Sequence, residues 1–280
     1  MAIPLVQQIK QDIIQALEND DLVLPTLPEV ALQVRDVAAN ETSSISDLTY
    51  ILGRDAALSA RIIKVANSPM IRTSVPVSDL DTAVSRLGID LTNNLAMGLA
   101  MEQMFKTTSD IIDKHMRRCW LKSIEIAASS QVLARNFTDL QPGQALLAGL
   151  THQIGKLPIL AFAENNKFLL NDSSALNKVL NVLHPSLGSY ILKRWDFPKE
   201  LVAVSKNYLL FDRQVDRVDY ADIVQVATLQ SYAGTEHPYT QLDWTNISSF
   251  ERLGLDSTTL IAEMEYVSEE VTEIKGALGS

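Results

Sequence analysis

Apolar residues recur at helical spacing through almost the whole chain, and this repeat constrains the fold more than any other feature. Val30 and Val34 fall on one face of a predicted helix, and Leu58, Ile62 and Val65 do so in another segment. This spacing is typical of amphipathic helices that turn one side to a core. No convincing run of alternating apolar and polar residues indicates a β-strand. Because 46% of the 280 residues are apolar, the chain can bury a core, and we predict an all-α protein.

Pairs of polar residues predict where two of the helices begin. Thr26 and Glu29 have the spacing of a capping box, in which each side chain bonds the backbone N–H group of the other residue. Ser44 and Asp47 have the same spacing and open a second predicted helix. At the other end of the chain, we expect residues 276–280 to be frayed.

A polar stretch divides the chain into two predicted parts. Residues 107–113 have few apolar anchors, so we place a boundary there. The predicted parts are an N-terminal helical subdomain, residues 1–113, and a C-terminal one, residues 114–280. Within the second part, one helix is expected to end at Leu183 and the next to start at Ser186, because a proline between them breaks helical hydrogen bonding.

The charge of the chain argues against a nucleic-acid partner. The formal charge is −10 and the pI is about 4.9, whereas a protein that binds a polyanion usually presents a basic face. The densest group of basic residues is interpreted as a solvated helix face; it consists of Lys114, Arg117, Arg118 and Lys122.

Cysteine usage and hydropathy predict a cytoplasmic protein without a membrane anchor. The single cysteine, Cys119, excludes an intrachain disulfide and a cysteine-rich zinc site, and it is expected to be a small core residue. The start, Met1–Pro4, lacks the pattern of a signal peptide. The longest purely apolar stretch, Leu157–Ala163, is too short to span a bilayer.

The histidines are the first candidates for chemistry. His152 lies inside the strongly apolar segment 144–164, where a polar side chain needs partners. Its neighbour Gln153 carries a neutral amide, which is a weak ligand for divalent ions compared with a carboxylate. His115 and His237 lie in polar surroundings and are expected to be exposed to solvent.

Several short motifs follow one another in a specific order along residues 24–232. They are Leu24-Pro25-Thr26-Leu27-Pro28, Asp55-Ala56-Ala57-Leu58 with Val65-Ala66-Asn67-Ser68, Ala83-Val84-Ser85-Arg86-Leu87-Gly88, Leu150-Thr151-His152-Gln153-Ile154-Gly155-Lys156, His184-Pro185-Ser186-Leu187-Gly188 and Trp195-Asp196-Phe197-Pro198. In order and spacing they resemble the HDOD family, the HD-related output domains, a degenerate branch of the HD superfamily of metal-dependent phosphohydrolases. The resemblance implies a two-part helical bundle, in which an HDOD N-terminal bundle precedes an HD-like C-terminal bundle.

The sequence departs from the catalytic HD pattern at most positions that would hold a metal. The resemblance aligns Lys122, Gln153 and Thr228 with a histidine and two aspartates of that pattern, so that His152 alone remains, with His184 as an outer candidate. An ammonium group at a ligand position repels a divalent cation. We therefore expect no catalytic residues, no bound metal and no cofactor.

His152 has two interpretations. We favour a buried histidine that links adjacent helices through hydrogen bonds. The alternative is an anion pocket at the former metal position, which would bind a phosphate or a nucleotide. Its candidate residues are Lys122, His152, Gln153, Lys156, His184 and Thr228.

The resemblance implies a non-enzymatic output module of bacterial signal transduction that contacts another signalling protein. With no room for a fused sensor, the chain is expected to act as a stand-alone module, and we place its regulatory site in the groove between the two halves. The alternative is a phosphohydrolase with a substituted ligand set, in which Asp222 or Glu125 would replace the lost ligands.

Overall fold

The structure, a computed structural model, describes residues 5–19, 21–40, 43–68, 71, 75–259 and 265–279. Within these ranges every regular element is helical, which confirms the all-α prediction. The α-helices are α1 Leu5–Glu18, α2 Glu29–Ala39, α3 Ile45–Leu52, α4 Ala56–Ala66, α5 Leu80–Leu87, α6 Ile89–Ala100, α7 Asp110–Phe137, α8 Pro142–Thr151, α9 Lys156–Glu164, α10 Lys167–Asn171, α11 Ser173–Arg194, α12 Lys199–Asn207, α13 Tyr220–Gln230, α14 Ser248–Arg252 and α15 Glu265–Leu278. Short 3-10 helices lie at Met101–Phe105, Pro238–Gln241 and Trp244–Asn246.

Helices α2 to α6 pack on one another as an N-terminal bundle. The helix start predicted at Ser44 and Asp47 is confirmed, and the two residues form a capping box with both reciprocal hydrogen bonds at the start of α3. The capping box predicted at Thr26 is wrong, because α2 begins at Glu29 and no side chain caps it. Pro28 explains the later start, since a proline disfavours helical backbone angles in the residue before it.

Helix α7 is the centre of the C-terminal bundle and packs against α8, α9 and α13. It begins at Asp110, so the predicted boundary at residue 113 falls in its first turn. Small residues let α8 approach it closely: a Cβ atom added to Gly149 would overlap the backbone of Ala127. Cys119 is buried in this helix, which confirms its prediction as a core residue.

The apolar segment Pro142–Glu164 folds as α8 and α9, with a turn at residues 152–155 between them. By length and composition it is the one stretch of the described residues that could cross a membrane, but 83% of its most apolar window is buried inside the fold. Such burial is typical of a core segment of a globular protein.

Helix α11 corrects the prediction of two helices separated at Pro185. It is continuous from Ser173 to Arg194 and carries Pro185 in its interior. A proline removes one hydrogen bond there, but packing against α9 and α12 holds the helix together. At the contact with the turn before α9, an added Cβ on Gly155 would overlap the backbone of His184 and Gly188.

The C-terminal helix corrects the prediction that residues 276–280 are frayed, as far as these are described. Helix α15 continues to Leu278, whose side chain is fully buried. Arg61 donates to the carbonyl oxygen of Leu278, and Lys64 donates to that of Gly276 at 3.0 Å. Because α15 packs against both α4 and α7, it ties the N-terminal bundle to the C-terminal one.

Candidate functional site

Four of the predicted site residues come from different elements and lie close enough to influence one another. Lys122 lies on α7, His152 in the turn after α8, Lys156 at the start of α9 and His184 in α11. The charge of Lys156 lowers the pKa of both histidines, after the larger effect of burial. The fold therefore brings together residues that are far apart in the sequence. We call them, with Gln153, Thr228 and Tyr208, the His152 cluster.

His152 is a neutral hydrogen-bonding residue in this cluster. Its ring is completely buried, and Nδ1 donates to the carbonyl oxygen of Gly149 at 2.6 Å. Burial lowers the pKa of His152 to about 3, so the ring carries no charge near neutral pH. Its Nε2 atom is then an acceptor, and it has no hydrogen-bond partner in the structure. The lone pair on His152 Nε2 attracts a hydrogen-bond donor and repels an anion.

His184 is buried in the middle of α11. Its Nδ1 donates to the carbonyl oxygen of Leu180 at 2.7 Å. Burial holds the pKa of His184 well below its usual range. In the neutral ring Nε2 must therefore accept, and it does so from the Tyr208 hydroxyl at 2.6 Å.

Tyr208 fills the space between the two histidines. Its ring lies nearly perpendicular to that of His152, with 4.9 Å between the centroids. Burial raises the pKa of Tyr208 well above its usual range, so the hydroxyl stays a proton donor. Gln225 of α13 donates to the Tyr208 carbonyl oxygen at 3.0 Å and fixes the backbone there.

The three residues aligned with lost metal ligands all have internal partners. Lys122 pairs with Glu125 at 2.8 Å, and its amine lies 4.4 Å from the centre of the Tyr232 ring. Gln153 accepts from the Lys156 amine at 2.8 Å. The Thr228 hydroxyl donates to the carbonyl oxygen of Val224 at 2.6 Å.

These donors do not fit a divalent metal ion. Transition metals in phosphoryl-transfer sites need several histidine and carboxylate ligands that converge, whereas the six predicted site residues are two histidines, two lysines, a glutamine and a threonine, with no carboxylate among them. Among the residues that the structure describes, no three His, Cys, Asp or Glu side chains are grouped so that they could hold a metal.

The two carboxylates considered as substitutes are engaged elsewhere. Asp222 is fully buried and accepts hydrogen bonds from Arg213 at 3.1 Å and Arg252 at 2.7 Å. Glu125 pairs with Lys122 and lies 3.9 Å from Lys275. Neither supplies a carboxylate oriented toward His152.

The prediction that His115 and His237 are exposed is wrong, because both side chains are half-buried. The ring of His237 stacks on that of Tyr232, with 3.7 Å between centroids, beside the Lys122 amine. Burial lowers the pKa of both histidines. These aromatic rings cover the side of the His152 cluster where Lys122 lies.

A separate cavity of about 840 Å³ lies between the two bundles. Its walls come from α2, α5 and α6 on one side and from α7, α8 and the start of α12 on the other. We call it the inter-bundle cavity. None of the six predicted site residues lines it, and their role as an anion pocket stays a prediction.

Several polar side chains line the inter-bundle cavity, although it lies between two apolar cores. Arg35, Arg86 and Arg135 line it together with Asn93 and Gln131. Both of these amide side chains are buried, and the Asn93 carbonyl oxygen Oδ1 has no hydrogen-bond partner. The sequence analysis placed a regulatory site in the groove between the two halves but named none of these residues. Asp90, Thr92 and Asn94 beside it on α6 are polar as well, so the local sequence gave no signal that Asn93 is buried.

A comparison with protein-family models assigns the chain. The model of the HDOD domain matches residues 24–208. The chain belongs to the HDOD family. The match includes the N-terminal bundle, His152 and Tyr208, so both the His152 cluster and the inter-bundle cavity lie largely within the HDOD domain.

Solved structures share the fold of this chain. A protein of Shewanella amazonensis SB2B, provisionally named a metal-dependent phosphohydrolase, is 29% identical with a TM-score of 0.84, over 99% of this chain and all of its own. A protein of Marinobacter aquaeolei VT8, provisionally named a signal transduction protein, is 24% identical with a TM-score of 0.67, over 98% of this chain and 66% of its own.

An uncharacterized protein of Treponema pallidum (strain Nichols) is 21% identical in an alignment of 267 residues that covers 86% of this chain. The chain spans about half the length of that curated relative, at 50%.

Proposed function

We propose that this HDOD protein is a non-catalytic output module of bacterial signal transduction, which works in the cytoplasm by binding another signalling protein or a small anion. The observation that carries the proposal is the state of the three substituted ligand positions. Lys122, Gln153 and Thr228 each have an internal partner within 2.8 Å. A metal ion would have to displace these contacts and overcome the charge of two lysines.

The charge of the chain suggests the chemistry of a protein partner. With a formal charge of −10, the surface favours a partner that presents a basic patch, since complementary potentials speed association and exclude wrong partners. The name of the Marinobacter aquaeolei protein, which shares the fold, agrees with a role in signalling.

A small anion has two candidate places. The His152 cluster offers the amines of Lys122 and Lys156, but Tyr208 fills the space between its histidines. The inter-bundle cavity offers open volume and three arginines. The packing therefore favours the inter-bundle cavity as the regulatory site. Lys156→Met would test the first place, and we expect it to leave the binding of phosphate compounds unchanged in a thermal-shift screen.

The second candidate function is a metal-dependent phosphohydrolase, which the name of the Shewanella amazonensis protein favours, at 29% identity over nearly the whole chain. The test is elemental analysis of the purified protein, followed by assays with a phosphomonoester and a phosphodiester with and without EDTA. We expect no stoichiometric transition metal and no EDTA-sensitive turnover. Stoichiometric metal with turnover that EDTA abolishes would overturn the non-catalytic proposal.

A further inference from the structure

We infer that the inter-bundle cavity is a binding site for a purine nucleotide, a ligand class that deepens the proposed function and rests on it. The volume of the cavity matches that of small-molecule sites. Small-molecule sites enclose roughly 300–1,000 Å³, and this cavity, at about 840 Å³, has room for a nucleoside monophosphate.

The buried end of the cavity has the chemistry to recognise a base. Asn93 is only 4% exposed, and its carbonyl oxygen has no hydrogen-bond partner. Buried acceptors are nearly always paired, with protein, water or a ligand. This oxygen has almost no accessible surface, so a rotation of the Asn93 amide toward the cavity is needed for a ligand N–H donor to satisfy it, and the exocyclic amine or ring N–H of a purine is such a donor. Gln131 from α7, also 4% exposed, adds a second amide to the lining.

Apolar side chains line the cavity beside these amides. Met97 lies one turn after Asn93 on α6, and Leu147 and Phe197 contribute from the C-terminal bundle. Flat apolar surfaces accept the faces of an aromatic ring, while a few convergent polar groups fix its edge. The combination matches a heteroaromatic base better than it matches a sugar or a bare anion.

Arg135 would bind the phosphate group of the nucleotide. Arg135 lies four residues after Gln131 on α7, so the two side chains share a helix face about 6 Å apart along the axis. Its side chain is 33% exposed, which places a guanidinium nearer to solvent than the buried amide. Guanidinium groups bind phosphate oxygens in a bidentate way. The base would therefore lie inward and the phosphate toward solvent.

Arg135 also connects the cavity to α15. It pairs with Glu270 of α15, to which Asn136 donates at 3.4 Å. A phosphate that draws on the same guanidinium weakens that ion pair by competition. Occupation of the cavity would in this way loosen the C-terminal helix, which joins the two bundles and would transmit the signal.

The experiment is calorimetric titration of the full chain with AMP and GMP, and in parallel with adenosine, guanosine and inorganic phosphate. We expect at least one nucleotide to bind, and to bind more tightly than its nucleoside or phosphate alone. Asn93→Leu should weaken nucleotide binding at least about tenfold without lowering the melting temperature of the free protein, because it removes an unpaired acceptor. If N93L does not fold, N93A serves with the same expectation for binding.

Arg135→Gln should weaken the nucleotide at least about tenfold and leave the nucleoside unchanged. The matched control is Arg117→Gln on the same helix, where the exposed Arg117 pairs only with Asp113 among the ion pairs found; it should bind like the wild type. The inference is overturned if neither nucleotide binds, if phosphate alone binds as tightly, or if N93L binds equally well. The metal and turnover assays test the proposed function separately, so either conclusion can fail alone.

Discussion

The His152 cluster and the inter-bundle cavity are both buried polar regions, but they are completed in opposite ways. In the His152 cluster the polar groups have intramolecular partners except for His152 Nε2, and Tyr208 fills the space between the two histidines. In the inter-bundle cavity an acceptor on Asn93 has none, and open volume lies beside it. One region is closed by its own side chains, and the other is left incomplete.

This difference teaches where to look for a binding site in this fold. The positions that the sequence resemblance aligns with metal ligands lie among polar groups that are paired internally, as buried polar groups require. The interface between the two bundles lies outside the core around His152. This interface can therefore retain open volume and unpaired polar groups, which are the requirements for binding a ligand.

The largest effect is expected at Gly155, which holds the closed region together. An added Cβ there would overlap the carbonyl oxygen of His184 and lie 2.9 Å from its carbonyl carbon. Because these are backbone atoms of α11, neither side can yield. We expect Gly155→Val to lower the free energy of unfolding by more than about 4 kcal/mol, or to prevent folding, as measured by urea denaturation and soluble yield.

The control for this variant is Gly276→Ala in α15. A Cβ at Gly276 meets nothing within 4 Å, so the substitution should raise stability by roughly 0.5–1 kcal/mol, the usual gain from replacing glycine inside a helix. A Gly155→Val protein with wild-type stability would show that the closed region is loosely packed, and the comparison with the cavity would lose its basis.

A medium loss of stability is expected for Tyr208→Phe but not for Asn93→Leu, and this difference distinguishes the two regions. Tyr208→Phe keeps the ring but removes the hydroxyl that donates to His184 Nε2. A buried acceptor left unpaired costs about 1–3 kcal/mol, so Y208F should lose that much in urea denaturation. Asn93→Leu removes a polar atom that already lacks a partner and should lose nothing. Equal losses in the two variants would mean that Asn93 is as much a structural residue as Tyr208.

The smallest effect is expected in the pH dependence of stability. Burial lowers the folded-state pKa of His184, and it lowers that of His152 to about 3. Above about pH 6.5, the ordinary pKa of histidine, both residues are neutral in both states and contribute no pH dependence. Below it the unfolded chain binds protons that the folded chain does not, so stability falls as the pH falls, by up to about 1.4 kcal/mol per pH unit for each histidine.

Urea denaturation in steps from about pH 6.5 downward measures this slope. His152→Asn should make the slope shallower, because one of the two buried histidines is gone. The control is His237→Asn, which removes a half-buried histidine and should change the slope less. If the slope in H152N equals that of the wild type, His152 accepts a proton readily and the His152 cluster is less closed than its packing indicates.

Local sequence patterns were sufficient for most helices, since helical periodicity and caps act within a few residues. The start of α3 at Ser44 followed from two side chains that bond to neighbouring backbone. The capping box at Thr26 failed for a local reason, Pro28, but two other failures involve contacts between distant segments. Pro185 does not end α11, because α9 and α12 hold that helix from both sides. Leu278 is not frayed, because Arg61 from the N-terminal bundle binds its carbonyl oxygen.

The sequence by itself determined the all-α class and the family, because both depend on residue types in a local order, and it predicted from the same order that Lys122, Gln153 and Thr228 replace metal ligands. Only the tertiary structure decided that Tyr208 closes the His152 cluster and that a cavity lined by Asn93, Gln131 and Arg135 lies between the bundles. The physical reason is that free volume and unpaired hydrogen-bonding atoms are properties of packed neighbours from remote segments, and no local pattern encodes them.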